Sequence, residues 1–222
     1  TSDAITFTTG GDVVSGGTPV LNATSGIQFN GGSLNVSGGT VDLNATNGSI
    51  TGTDGGVTDI SAGTIDLSVS GTGNDVGAAG NPLEIDATTL SVATGGTAGD
   101  DVFIEDLSGG VQVDLISAGT GSVQLSSALG ISENSDAAAD ITAGVLTLDA
   151  GGPITLDTTV TSADISTSAA GNVDLDETDA IVLTDVDTDN GAIAVDAGGQ
   201  ITATDVDSSN TDDGNNNISL TS

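Results

Sequence analysis

The sequence of 222 residues contains no lysine, arginine or histidine, whereas aspartate and glutamate together number 32, so its formal net charge is −32. Binding to nucleic acid relies on basic side chains at the phosphates, and docking on anionic lipid relies on them too. The composition therefore argues against both partners. No run of about 18 apolar residues occurs, so we also expect no insertion into a membrane.

Reactive side chains are also scarce. Cysteine and tyrosine are missing as well as the three basic types, which removes the usual general bases, nucleophiles and anion stabilisers of enzymes. Paired carboxylates alone can hydrolyse glycosides. However, sugar-binding platforms rest on aromatic rings, and Phe7, Phe29 and Phe103 are the only aromatics. We therefore expect that the protein is not an enzyme.

Such a high net charge raises disorder as an alternative. Disordered chains combine charge with low hydrophobicity and few β-branched residues. This chain instead has a mean hydropathy of +0.15, and 36% of its residues are hydrophobic. Valine, isoleucine and threonine recur at every second position, so the composition favours a folded β protein with a thin aliphatic core.

One phrase, glycine-x-aliphatic-x-aliphatic, keeps returning along the sequence. It occupies positions 39–43, 63–67, 121–125, 171–175 and 191–195. Alternating segments of three to six residues between Gly, Asn, Asp and Ser turns are typical of strands. The 34 glycines would weaken helices repeatedly. We therefore predict an all-β chain of short strands.

The spacing of these strands distinguishes between all-β architectures. Aliphatic residues recur at Ile154, Val173, Ile193 and Ile218, in steps of 19, 20 and 25 residues. Two or three short strands in each repeat of about 20 residues predict a parallel β-solenoid. An array of β-sandwiches is the alternative, with longer strands and connections. We expect residues 1–222 to form one continuous solenoid with rungs of about 20 residues.

Several segments resemble the repeats of filamentous-haemagglutinin-type bacterial surface proteins. They are GNPLEI (80–85), ITAGVLTLDAGGPI (141–154), AIVLTDV (180–186), GAIAVDAGGQITA (191–203) and NISL (217–220). The resemblance extends from about residue 26 onward and is one of repeat style. It implies a right-handed parallel β-helix that is secreted and displayed on, or released from, a bacterial cell surface as an adhesin or fibre.

The expected role follows from this resemblance and from the absence of catalytic residue types. We expect a structural module of an extracellular fibre, cell-surface layer or matrix that self-associates by stacking or lateral contact into fibres or sheets. A stalk or tip of an adhesin, which would bind extracellular glycans or a receptor, is the alternative. The sequence begins Thr-Ser-Asp without methionine, and we expect it to be a fragment or processed part of a longer repeat protein.

The sharpest motif that could bind a ligand lies in the C-terminal third. Asp185, Asp187, Asp189 and Asp196 occupy positions 1, 3, 5 and 12 of a calcium-loop spacing, with Gly191 one place beyond the usual bend glycine. These residues are the predicted metal site, and calcium is the predicted cofactor. The alternative is that they are solvated turn acids, with residues 193–195 in the next strand and Asp196 pointing away.

A solenoid would also place acidic residues of neighbouring rungs about 5 Å apart, where two carboxylates repel each other by roughly 1 kcal/mol in water. No basic side chain can separate them. We therefore expect divalent cations, most readily calcium, to stabilise the rod or to bridge neighbouring rods through acidic clusters.

Overall fold

The computed structural model describes residues 3–53, 55–209 and 216–222, which contain twenty β-strands and no helix. The strands are β1 (Ile5–Thr8), β2 (Val13–Val14), β3 (Val20–Ala23), β4 (Ile27–Asn30), β5 (Leu34–Ala45), β6 (Ile50–Thr51), β7 (Ile60–Val69), β8 (Leu83–Ala93), β9 (Val102–Asp106), β10 (Val111–Ser117), β11 (Ser122–Ser127), β12 (Ile131–Glu133), β13 (Ile141–Ala150), β14 (Ile154–Thr167), β15 (Val173–Glu177), β16 (Ile181–Thr188), β17 (Ile193–Ala197), β18 (Ile201–Ala203), β19 (Val206–Asp207) and β20 (Ile218–Thr221).

The strands stack in parallel as a β-solenoid of about 10 turns, which confirms the predicted architecture. The four aliphatic residues that suggested the repeat lie directly above one another. Ile154 pairs with Val173, Val173 with Ile193, and Ile193 with Ile218. Local spacing was sufficient to place them because a parallel ladder puts equivalent residues of successive turns in one column.

The rungs average about 22 residues, slightly more than the predicted 20. The difference comes mainly from the N-terminal half, where the stacked residues Ile50, Val76 and Val102 are 26 residues apart. Several strands are also longer than the predicted three to six residues. The 14-residue β14 pairs with β15 through its first part and with β16 through its last part, so one extended segment serves two strand stacks.

The core is a column of aliphatic side chains along the inside of the rod. In β17, Ile193, Val195 and Ala197 are buried, whereas the residues between them face outward. This period of two follows from the pleat of a strand. At the N-terminal end, Phe7 and Phe29 stack with their ring centroids 4.6 Å apart. Each fully buried aliphatic or aromatic side chain stabilises the fold by about 1.5–3 kcal/mol.

Glycines allow successive turns to approach closely at one corner. Gly152, Gly171 and Gly191 lie on consecutive rungs, two residues before aligned core positions. A Cβ on Gly171 would come within 2.5 Å of the carbonyl carbon of Gly152, and a Cβ on Gly191 would overlap the carbonyl oxygen of Gly171. Only a residue without a side chain fits this corner.

Candidate functional site

The four predicted calcium ligands lie on two different strand stacks. Asp185 and Asp187 are exposed residues of β16, which stacks on β14 below and on β18 and β19 above. Asp189 follows β16, and its backbone N–H donates to the carbonyl oxygen of Thr167 at 3.2 Å. Asp196 belongs to β17, which stacks on β15 and β20. The predicted set is therefore divided by the turn between β16 and β17.

Asp185 and Asp187 do form part of an acidic cluster. We define the C-terminal acidic patch as Asp164, Asp185, Asp187, Asp205 and Asp207, exposed residues on three successive rungs. Burial raises the pKa of Asp187, and the carboxylates of Asp185, Asp205, Asp207 and Asp164 raise it further. Asp187 and Asp207 also line a shallow surface groove together with Asp189.

Asp196 joins a different ladder of acids. It pairs in register with Asp176, which in turn pairs with Asp157. The pKa of Asp176 is raised, first by burial and then by Asp157, Asp174 and Asp196. Within residues 3–53, 55–209 and 216–222, no group of three or more acidic side chains is arranged to hold a metal ion. Calcium binding by the four predicted residues stays a prediction.

A polar column continues through seven rungs of the rod, and we call it the long acidic ladder. In rung order, its members are Glu84, Glu105, Ser126, Asp149, Ser166, Asp187 and Asp207. Serine separates some of the acids. The hydroxyl of Ser166 donates to Asp149 Oδ1 at 3.2 Å. Such neutral donors reduce contact between carboxylates in a chain that has no basic side chain to place there.

A shorter column shows the same arrangement near the middle of the rod. Asp42 pairs with Asp66, and Asp66 pairs with Ser91. Ser91 Oγ donates to Asp114 Oδ2 at 3.1 Å. Burial raises the pKa of Asp66, and Asp42 and Asp114 raise it further. Carboxylates on neighbouring rungs therefore oppose ionisation of one another, as the sequence led us to expect.

Among the described residues six acids are buried, which the sequence did not predict: Asp59, Glu84, Asp100, Asp106, Asp140 and Glu177. Glu177 illustrates how a buried acid is accommodated. Its Oε2 accepts hydrogen bonds from Thr158 Oγ1 at 2.8 Å and from the Val160 N–H at 3.1 Å, and its Oε1 accepts one from the Asp179 N–H at 3.2 Å. Burial nevertheless raises its pKa, while these hydrogen bonds oppose the shift.

Asp100 is held more tightly. Its carboxylate accepts hydrogen bonds from the Gly73 and Asn74 N–H groups at 2.5 and 3.3 Å, and from the N–H and hydroxyl of Thr97 at 2.9 and 2.5 Å. The Thr97 hydroxyl contributes most to a lowered pKa, and the backbone donors add to it. Asp100 therefore ties the loop after β7 to the loop after β8.

A signal for two of the buried acids was present in the alternation itself. In β15 the buried residues are Val173, Leu175 and Glu177, and in β9 they are Val102, Ile104 and Asp106. An acid that continues the inward phase of an aliphatic strand indicates a buried carboxyl group. Asp106 then accepts a hydrogen bond from Ser127 Oγ at 3.0 Å, and burial raises its pKa.

Comparison of the chain with protein-family models, with curated proteins and with solved structures gives no significant match. In the part of the chain that the structure describes, no helix has the length and apolar character to cross a membrane. The solenoid fold is therefore assigned from the strand pairing in the structure, and the function is inferred from the residues.

Proposed function

We propose that this chain is a non-catalytic structural module of a secreted bacterial fibre, cell-surface layer or extracellular matrix, of the filamentous-haemagglutinin type. Its rods associate by stacking or by lateral contact. The uninterrupted aliphatic core supports this role, because a rod filled along its length with interlocked side chains resists bending and local opening. The lack of His, Cys, Lys, Arg and Tyr supports a role without catalysis.

The observation that carries the proposal is the unbroken parallel stacking of about 10 turns around one aliphatic column, which continues into β20. Ile218 and Leu220 occupy the same columns as Ile193 and Val195. The two β17 residues are 1% and 2% exposed, whereas Ile218 and Leu220 are 46% and 40% exposed. Among the described residues, β20 pairs with β17 alone. A further rung of the same kind, whether it continues this chain or belongs to a second rod, would bury both side chains and pair this strand edge.

The charge of the chain sets the conditions for such contacts. Rods with a net charge of −32 repel one another, and the repulsion weakens as salt shortens the Debye length to about 8 Å at physiological ionic strength. Calcium would act more strongly, because a divalent ion can neutralise carboxylates of two rods at once. The same charge disfavours nucleic acid and anionic lipid as partners.

Sedimentation velocity and negative-stain electron microscopy test the proposal. We expect the wild-type chain to form larger species as its concentration rises, in physiological salt with millimolar calcium. A double variant, Ile218→Asp with Leu220→Asp, should lose end-to-end assembly. Leu129→Asp is the matched control, because Leu129 is a 56% exposed residue on the side of the rod. Loss of assembly only in Leu129→Asp would instead indicate lateral contact.

A chain that stays monomeric at every concentration, with and without calcium, would contradict the proposal. Binding of that monomer to a defined sugar on a glycan array would then favour the adhesin alternative. The two functions are thus separated by two measurements on the same preparation.

A further inference from the structure

Two buried carboxyl groups lie against each other in the N-terminal half of the rod, outside the predicted calcium site. Asp59, immediately before β7, is 1% exposed, and Glu84, in β8, is 0% exposed. Their backbones are neighbours in the ladder, since the Asp59 N–H donates to the Glu84 carbonyl oxygen at 2.8 Å. The Glu84 N–H in turn lies 3.3 Å from Asp59 Oδ2.

Glu84 is buried although it lies at the outward phase of its strand. Its neighbours Leu83 and Ile85 fill the core, so the Glu84 side chain points to the opposite face. Part of that face is covered by the segment of residues 55–59, which precedes β7. The Gly56 N–H of this segment donates to Glu84 Oε1 at 2.9 Å.

The other carboxylate oxygen has no such partner. Glu84 Oε2 is buried and makes no hydrogen bond. A buried anionic oxygen without a donor is rare and costly, so it calls for an explanation. Among the described residues, Asn216 Oδ1 is the only other buried side-chain oxygen or nitrogen without a hydrogen bond.

Gly52 packs closely against both carboxylates. A Cβ on Gly52 would overlap Asp59 Oδ2 and would lie 3.1 Å from Glu84 Oε2. An oxygen of each carboxylate therefore lies close to Gly52, and no side chain fits at position 52. The Gly52 carbonyl oxygen is itself held by the Asn81 side-chain N–H at 2.7 Å, which fixes the backbone at this point.

We propose that Asp59 and Glu84 bind a hard divalent cation, with calcium the first to test, beside Gly52 and Gly56. Two carboxylates in one dry site carry two negative charges, and the chain has no basic side chain to neutralise them. A single proton would remove one charge, whereas a divalent ion removes both. Ligands that are all oxygen suit calcium, magnesium and manganese.

Isothermal titration of the metal-free chain with calcium chloride alone tests the site. We expect one saturable site that is tighter than the diffuse binding by surface acids. Glu84→Gln and Asp59→Asn should each weaken it by about tenfold or more, because ligand charge sets calcium affinity. Glu133→Gln is the matched control, since it makes the same change on a distant rung and should leave the site intact.

Gly52→Ala provides a second variant that changes no charge. Its methyl group would displace the Asp59 carboxylate, so calcium binding should weaken strongly while both carboxylates remain in the chain. Melting measured with calcium and with chelator gives a further readout, because a ligand stabilises only the state that binds it. The calcium-dependent rise in melting temperature should disappear in Glu84→Gln and persist in Glu133→Gln.

Two results would overturn the proposal. Equal calcium affinity and stoichiometry in the wild type and Glu84→Gln would show that the ions bind elsewhere. No saturable calcium site, together with a wild type that loses stability as pH rises and a Glu84→Gln variant that does not, would show that the pair shares a proton instead.

Discussion

Replacing the buried Asp140 by asparagine should stabilise the protein at neutral pH. Asp140 is 2% exposed and lies immediately before β13. Burial, together with the smaller effect of the Asp157, Glu133 and Asp136 carboxylates, raises its pKa from 3.8 to about 6. The Asp157 N–H, which donates to Asp140 Oδ2 at 2.8 Å, opposes the shift.

The sign of the effect follows from proton linkage. Between pH 3.8 and about 6 the folded protein keeps a proton on Asp140 that the unfolded chain has released. Stability therefore falls as pH rises through this range, and above it the folded state carries the full cost of the buried charge. A shift of roughly two units corresponds to about 3 kcal/mol. Since water near the surface of the rod screens the charge, we expect about 1–2 kcal/mol.

Asparagine imitates the protonated acid. Its side-chain oxygen can accept the Asp157 N–H, and its amide group can donate to the neighbouring carboxylates. Urea unfolding followed by circular dichroism should show Asp140→Asn to be more stable than the wild type at about pH 7.5, and equally stable near pH 4. Asp174→Asn, an exposed change in β15, controls for the loss of one charge and should stay within about 0.5 kcal/mol.

The reasoning would be refuted by a variant that is less stable than the wild type at neutral pH. It would also be refuted by a gain of the same size at both pH values, because the effect would then not come from ionisation of Asp140.

Two further changes test the corner and the loop described above. Gly171→Ala should destabilise the rod by about 1–3 kcal/mol, because its Cβ would meet the backbone of Gly152. Gly16→Ala is the control and should be neutral or slightly stabilising, because no atom lies within 4 Å of the added Cβ. Equal melting temperatures of the two variants would contradict this prediction. Asp100→Asn should loosen the loop around Gly73 at neutral pH, which faster amide hydrogen exchange in that loop would show. Because the pKa of Asp100 is lowered, the greater protection of the wild-type loop should be present above pH 3.8 and fade as pH falls through the lowered pKa. Exchange that the substitution leaves unchanged would contradict this prediction.

The fold was predictable because its information is local and repeated. The column from Ile154 through Val173 to Ile193 could be identified by counting, since parallel stacking places residues one repeat apart in contact. The rung length was less accessible, because loops such as the one between β7 and β8 add residues without changing the stacking. The length of strands such as β14 was not predicted. The chain turns a corner within β14 and keeps its hydrogen bonds there, and such a corner has no distinct sequence signal.

The candidate sites were harder to predict, for a physical reason. The spacing of Asp185, Asp187, Asp189 and Asp196 suggested one loop, but a turn sends Asp196 into another strand stack. Burial of Glu84 depends on a segment that precedes it by about one rung and crosses its outward face. Period-two alternation shows which side of a strand a residue faces, yet it does not show what covers that side.

A protein without basic side chains must satisfy its buried acids with neutral donors, and this one does so with backbone N–H groups and hydroxyls. Thr158 serves Glu177, Thr97 serves Asp100 and Ser127 serves Asp106. Such donors supply hydrogen bonds but no opposite charge, so repulsion along the acidic ladders remains. At low pH, protons relieve this repulsion. Burial and neighbouring carboxylates favour the protonated form of an acid, and they therefore raise pKa values along the rod. At neutral pH we propose that cations relieve the repulsion instead, and the oxygen of Glu84 that has no donor marks the place where one ion would have the most to neutralise.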